Sequence, residues 1–365
     1  MIPVSEPVMG EKELEYITEC IRTNWVSSAG KFVDRFAEEF AGFCEAKYAV
    51  PVVNGTAALH LALMILGIGR GDEVIVPTLT FITTANVVTY TGATPIFVDS
   101  EPYTWNIEPA KIEEKITDRT KAIIPVHLYG HPADMNAINT IAEYHNLFVI
   151  EDATEGLGSL YKGKRVGTLS DIGCFSFNGN KLITTGSGGM IVTNNESWAE
   201  EAKFLSTQAR VPGGEYFHPK IGYNYRLTNI QAALGVAQLE KIDEYIKIKR
   251  RNAALYHKLL NSVKGITLTP EADWAENVFW IYSILVEDEY DMSKDELMAK
   301  LTENDIGNRP LFYPLHLQPP YIKNKPEKLE VAESLYRKGI NLPSSVSLKE
   351  SDIEKITQVI RCSVS

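Results

Sequence analysis

Only four cysteines occur in the 365 residues, Cys20, Cys44, Cys174 and Cys362, and no two of them form a Cys-x-x-Cys pair. That spacing gives no disulfide framework and no cysteine-built zinc site, so no metal is expected and reduced thiols are the simplest reading. Met1–Gly10 lacks a basic stretch followed by an apolar core, so no secretory leader is read there and a cytoplasmic location is expected. Long apolar runs are also missing. The longest, Ala57–Leu66, is interrupted by His60 and falls short of a membrane span. Positive charge is in deficit, with 36 Lys and Arg against 47 Asp and Glu, a formal net charge of −11. This argues against nucleic-acid binding. An anionic ligand would have to be attracted locally, by helix N-termini and a few placed arginines.

What remains is ordinary globular composition, 44% hydrophobic and 23% charged, with no low-complexity tract or internal repeat. The length suits a large α/β domain with a smaller one. Glu73–Pro77, Thr94–Asp99, Lys121–Val126 and Leu147–Asp152 are apolar almost throughout, as strands covered on both faces are. Thr56–Leu66, Ile82–Tyr90 and Met135–His145 read as the helices between them, the last with Asp134 as its N-cap. Ile172–Ser176 and Gly189–Thr193 read as two further strands, and a long helix is expected from Thr228 to about Leu259. Beyond Gly265 a strand at Phe279–Val286 and helices at Lys294–Leu301 and Ser351–Ile360 suggest a smaller α+β unit. The expected division is residues 1–260, with an N-terminal arm and the long connecting helix, and residues 261–365. The βαβ rhythm implies a mostly parallel sheet with ligands at the carboxyl ends of its strands.

Three segments carry chemistry at that edge. Asp152 closes an apolar strand, where a carboxylate can pair with a protonated pyridine nitrogen. Taken alone, a helix-capping aspartate is the commoner meaning. Lys181 lies between two expected strands, with Gly186, Gly188 and Gly189 just after it. A Schiff-base lysine needs a close backbone approach and a site where its amine can lose a proton. A solvated lysine on a surface turn is the plainer alternative, and the pairing with Asp152 weakens it. Val53-Asn54-Gly55-Thr56 leads into a helix whose first amides can hold phosphate, unless the segment is only a cap. Other patterns are set aside. Gly158–Arg165 lacks the Ser or Thr that completes a phosphate loop, and Gly67–Gly71 is out of register for a dinucleotide fingerprint. His127 and His131 are expected on a strand exit and do not make a helical metal pair.

In order along the chain, NGTAALHLAL, GDEVIVPTLTF, VIEDATEGLGS, FSFNGNKLITTGSGGM, GYNYRLTNIQAALG and RPLFYPLHLQPPY resemble the DegT/DnrJ/StrS family of sugar-nucleotide aminotransferases. The resemblance implies an aspartate-aminotransferase-like fold and pyridoxal 5'-phosphate as cofactor. It places the cofactor's aldehyde on Lys181, its ring nitrogen against Asp152 and a polar contact at Glu155. It places Phe81 on the ring face and Gly55, Thr56 and Ser176 around the phosphate. Asn229 is implied to reach the phosphate of a neighbouring subunit, and hence a homodimer with shared active sites. The implied substrates are a nucleotide-linked 4-keto sugar and L-glutamate. A lysine at position 181, where related dehydratases have histidine, favours transamination over a dehydratase, and nothing in the sequence supports a non-catalytic regulator. Asn178 tilts the expectation towards a UDP-linked 2-acetamido-4-keto-6-deoxy sugar, with GDP-4-keto-6-deoxymannose as the alternative.

Overall fold

The structure, a computed structural model, describes residues 1–213, 215–322 and 327–362. Seven strands form the central sheet: β1 (Tyr48–Val52), β2 (Glu73–Pro77), β3 (Thr94–Val98), β4 (Thr120–Ile123), β5 (Phe148–Asp152), β6 (Ile172–Ser176) and β7 (Gly189–Thr193). Their spatial order is β1-β7-β6-β5-β4-β2-β3. Neighbours from β6 to β3 pair in parallel, whereas β7 runs antiparallel to both β6 and β1. The sheet is thus mostly parallel, as expected.

Alternation along the strands explains how both faces are buried. Ile172, Cys174 and Ile191 point to the helices Gly55–Ile65 and Glu196–Ser206. Phe175, Met190 and Val192 point the other way, to Lys31–Cys44 and Asn229–Leu239. On that second face Phe40 lies 5.1 Å from Phe175 and 5.3 Å from Phe177, both edge-on. Truncating a fully buried phenylalanine such as Phe40 costs about 3–5 kcal/mol, so this cluster anchors the sheet on which the site is built.

The smaller sheet is antiparallel, in the order Ile266–Leu268, Tyr282–Val286, Gly339–Leu342, Arg309–Pro310. Its core takes in Leu297, Ile353 and Ile356 from two helices, and Tyr256 and Leu260 from the end of the helix Ile242–Leu260. The N-terminal arm joins it: the Ile2 N–H donates to Asp305 O at 2.7 Å, and Ser344 N–H to Val4 O at 2.8 Å.

Two expectations are corrected, and one strand was missed. The helix from Thr228 to Leu259 is two helices, Asn229–Leu239 and Ile242–Leu260, broken at Glu240–Lys241. There Glu240 accepts from Tyr16, Arg35 and Lys12 at the corner where the N-terminal helices pack. The strand expected at Phe279 begins at Tyr282, because Phe279 takes a left-handed φ of 52°. Strand β1 escaped the sequence reading altogether. Among the described residues, no helix is long and apolar enough to cross a membrane.

Candidate active site

The carboxyl ends of β2, β5 and β6 open into a cleft of about 640 Å³, closed on the far side by the small unit's Trp280 and Arg309–Tyr313. A cavity of about 700 Å³ between Tyr103 and the small sheet holds none of the residues singled out by sequence. Size alone does not mark the site.

Asp152 ends β5 and Ser176 ends the neighbouring β6, so the sheet delivers carboxylate and hydroxyl side by side. Asp152 is buried, and two threonines orient it. Its Oδ2 accepts from Thr84 Oγ1 at 2.8 Å, and its Oδ1 from Thr154 Oγ1 at 2.7 Å. Glu151, one residue earlier, faces the opposite side of the strand. It accepts from His127 Nε2, the amides of Gly167 and Leu169, and Ser170 Oγ. With His127 Nδ1 accepting the Ala133 N–H at 3.1 Å, Nε2 carries the proton and His127 is a core histidine. His131 is likewise engaged, between Pro132 O and the Ala272 N–H, and burial lowers its pKa to about 4. Among the described residues no cluster of side chains could hold a metal ion.

Lys181 follows β6 on a compact turn in which its N–H donates to Asn178 O at 3.0 Å and Phe177 N–H to Gly188 O at 2.8 Å. The turn lies against the start of the helix Gly55–Ile65. A Cβ on Gly189 would meet the Asn54 carbonyl at 2.5 Å, so only glycine permits that approach. Asn54 caps this helix by accepting the Ala57 N–H at 2.8 Å. The amides of Gly55 and Thr56, first in the helix, have no intrahelical acceptor. A Cβ on Gly55 would come within 2.7 Å of Ser176 Cβ, closing the space between amides and hydroxyl. Free amides and a hydroxyl so placed can hold an anion.

The Lys181 Nζ lies 3.8 Å from Glu155 Oε1 and 3.8 Å from the centre of the Trp280 ring. Desolvation lowers the lysine's pKa, with Glu155 and Asp152 opposing that shift. Desolvation also raises the Glu155 carboxyl to about 7, and Lys181 and the Tyr129 N–H, which donates to it at 2.8 Å, restrain the rise. Burial thus disfavours the charged form of both groups, the ammonium of Lys181 and the carboxylate of Glu155. Phe81 follows β2, with its ring half-exposed at the mouth and 6.1 Å from Phe312.

Gly55, Thr56, Phe81, Asp152, Glu155, Ser176 and Lys181 therefore share one cleft. Asn229 does not line it. Its Oδ1 accepts the Phe32 N–H at 3.0 Å, while its amide donates to Trp25 O at 2.8 Å and to Cys20 Sγ at 3.3 Å. Both amide hydrogens thus have acceptors within its own chain. The helix that Asn229 begins is capped by Thr228, in a capping box with Gln231. Sequence reasoning missed Thr84, Thr154, Tyr129 and Trp280. Only Thr154, two residues after Asp152, had a local signal, the side-chain turn that Asp favours.

The DegT/DnrJ/EryC1/StrS aminotransferase family matches residues 7–361. The chain is 48% identical to the GDP-perosamine synthase of Escherichia coli O157:H7, over 98% of this chain and 97% of that one. It is 46% identical to the GDP-perosamine synthase of Caulobacter vibrioides, over 97% and 96%. Among solved structures, the PLP form of the putative sugar aminotransferase Spr1654 from Streptococcus pneumoniae superposes with a TM-score of 0.94 at 26% identity, covering 99% of this chain and 98% of that one. With the lysine, the carboxylate and the anion cradle in one cleft, the chain belongs to the DegT/DnrJ/EryC1/StrS family of pyridoxal-phosphate-dependent sugar aminotransferases.

Proposed function

We propose that the chain transfers an amino group from L-glutamate to C4 of GDP-linked 4-keto-6-deoxymannose, the reaction of a GDP-perosamine synthase. The observation that carries this reading is the agreement of three relatives of that name, 41–48% identical over 97–99% of this chain. It replaces the expectation of a UDP-linked acetamido sugar, which rested chiefly on Asn178. That side chain donates to Asn180 Oδ1 at 3.1 Å, a contact that carries no preference for either nucleotide.

The residues fit pyridoxal 5'-phosphate. The Gly55 and Thr56 amides and Ser176 would hold its phosphate, Asp152 its ring nitrogen, Phe81 its face and Lys181 its aldehyde carbon. When bound, the cofactor supplies an electron sink for the negative charge left on a carbon that loses a proton. Asp152, held by Thr84 and Thr154, keeps a positive charge on the ring nitrogen. Lys181 Nζ takes a proton from the donor's α-carbon and later delivers one to C4 of the sugar. Glu155, with a pKa near 7 and 3.8 Å from that amine, returns the lysine to the required protonation state. Trp280, Tyr129 and Phe312 wall the cleft and limit water around the amine. A homodimer belongs to the same reading, supported by the exposure of Trp25, Phe217 and Ile221 on the surface.

Incubation with L-glutamate and a panel of GDP-, UDP- and dTDP-linked 4-keto sugars, read by mass spectrometry, tests the proposal. The GDP sugar should be preferred by at least roughly tenfold in kcat/KM. Equal or faster amination of the UDP-linked acetamido sugar would overturn it.

A further inference from the structure

We infer that the indole face of Trp280 is the seat of the Lys181 ammonium whenever that amine is free, and that Lys249 is the positioning residue that holds the seat. The inference rests on Lys181 being the reacting amine.

The geometry puts Lys181 Nζ between two surfaces of different character. Glu155 Oε1 lies at 3.8 Å on one side and the centre of the Trp280 ring at 3.8 Å on the other. Asp152 is the other charged group acting on the amine. A cation over a tryptophan face is attracted by the ring's quadrupole, most strongly where water is excluded. A ring differs from a second carboxylate in one useful respect. It steadies the cation without offering a base that competes for its proton. The lysine can therefore wait in a fixed place and still pass its proton on.

Trp280 is fixed at three points. Its Nε1–H donates at 2.7 Å to the carbonyl of Asn180, the residue before Lys181, which ties the ring to the lysine's own backbone. Its ring stacks on Tyr129 with centres 6.4 Å apart and planes 19° from parallel, and the Tyr129 N–H holds Glu155. Its carbonyl accepts from Lys249 Nζ at 2.6 Å. Lys249 is buried on the helix Ile242–Leu260 and makes no ion pair among the described residues; its second acceptor is the Ser344 carbonyl. Burial lowers its pKa to about 7. An amine buried without a counter-ion is costly. This one joins two backbone segments, one carrying Trp280 and the other, through Ser344, the N-terminal arm. The left-handed turn at Phe279 delays the strand until Tyr282, so Trp280 is turned out to the cleft.

The test measures the ionisation of Lys181 in the full chain, both without cofactor and after excess L-glutamate. Brief acylation across a pH series, followed by peptide mass spectrometry, reads the fraction of free amine at that residue. Global replacement of tryptophan by mono-, di- and trifluorotryptophan weakens the ring's quadrupole while keeping its shape. The apparent pKa of Lys181 should fall stepwise along the series, by roughly half to one and a half pH units in total. Trp280→Leu should fall as far. Lys249→Met should reproduce at least half of the fall, and Lys249→Gln, which can still donate to a carbonyl, less of it. A flat response to fluorination overturns the seat, even if Trp280→Leu does not fold. An unchanged Lys181 profile in folded Lys249→Met overturns the positioning role. The cofactor-free arm reads the seat whether or not Lys181 carries the cofactor, so its failure is distinct from failure of the catalytic reading.

Discussion

Asp152→Asn removes one charge from a setting that an amide can otherwise copy. The aspartate Oδ1 accepts from Thr154 Oγ1 at 2.7 Å and from the Thr154 N–H at 3.3 Å, and asparagine's oxygen can keep both. The new NH₂ then faces Thr84 Oγ1, now 2.8 Å from Oδ2, and a hydroxyl can rotate to accept. The fold and the thermal midpoint should therefore hold. What disappears is the negative charge opposite the ring nitrogen, where a charge-assisted contact contributes about 1.5–3 kcal/mol. If that contact strengthens as charge develops in the transition state, the half reaction slows by about ten- to a hundredfold. Stopped-flow absorbance under saturating L-glutamate measures the step directly. A folded, cofactor-loaded Asp152→Asn within about threefold of wild type would refute the assignment. Glu155 would then be the carboxylate to examine, since Glu151 is engaged on the far side of the strand with His127, Gly167, Leu169 and Ser170.

Borohydride treatment of the loaded enzyme should fix the cofactor on Lys181, and Lys181→Ala should lose the corresponding absorbance; a labelled peptide containing Lys164 instead would exclude the assignment. Glu155→Gln should change how stability depends on pH. The folded carboxyl keeps its proton to about pH 7, whereas an unfolded one releases it near 4.5. The folded state therefore binds more protons in that window, and the contribution, complete below pH 4.5, is lost as pH rises through 7. The cofactor-free wild type should lose thermal stability between pH 5 and 7.5 more steeply than Glu155→Gln, and equal slopes would count against the raised pKa. Asn229→Ala should release the segment 25–32 by removing contacts to Phe32, Trp25 and Cys20, at about 1–3 kcal/mol. Mixing it with Lys181→Ala subunits should restore nothing beyond the parental average, and recovery towards half of wild-type activity would show that Asn229 acts across an interface after all.

The parallel strands were legible because burial on both faces leaves a continuous apolar run, and β2 and β6 have the bounds read for them, as does the antiparallel but equally buried β7. Strand β1 was not, since Pro51 interrupts its pattern and its position at the sheet's edge tolerates a proline. The break at Glu240–Lys241 was hidden because two residues barely disturb helical spacing. Lys181 and Asp152 could be read locally, each at a strand end or a glycine-rich turn. Trp280 could not: it meets Lys181 only because the small sheet closes over the large one, a contact between residues 99 positions apart (280 − 181). Lys249 was concealed differently. In the run Lys247-Ile248-Lys249-Arg250-Arg251 it reads as a solvated basic face, yet it is buried against the carbonyls of Trp280 and Ser344.

A chain of formal charge −11 can still take the anionic cofactor proposed for it, given the kind of group that would face the anion. The cradle consists of the Gly55 and Thr56 amides with Ser176, neutral donors whose partial positive charge is fixed by the helix. Neutral donors have a second advantage here. A lysine or arginine placed deep in the same cleft would repel the Lys181 ammonium and draw Glu155 towards ionisation, removing the carboxyl that holds its proton to about pH 7. Among the described residues lining the cleft, the one other cation is Arg309, which is exposed on the short strand Arg309–Pro310. The charge that would disturb the Lys181 amine is thereby left exposed, where solvent screens it.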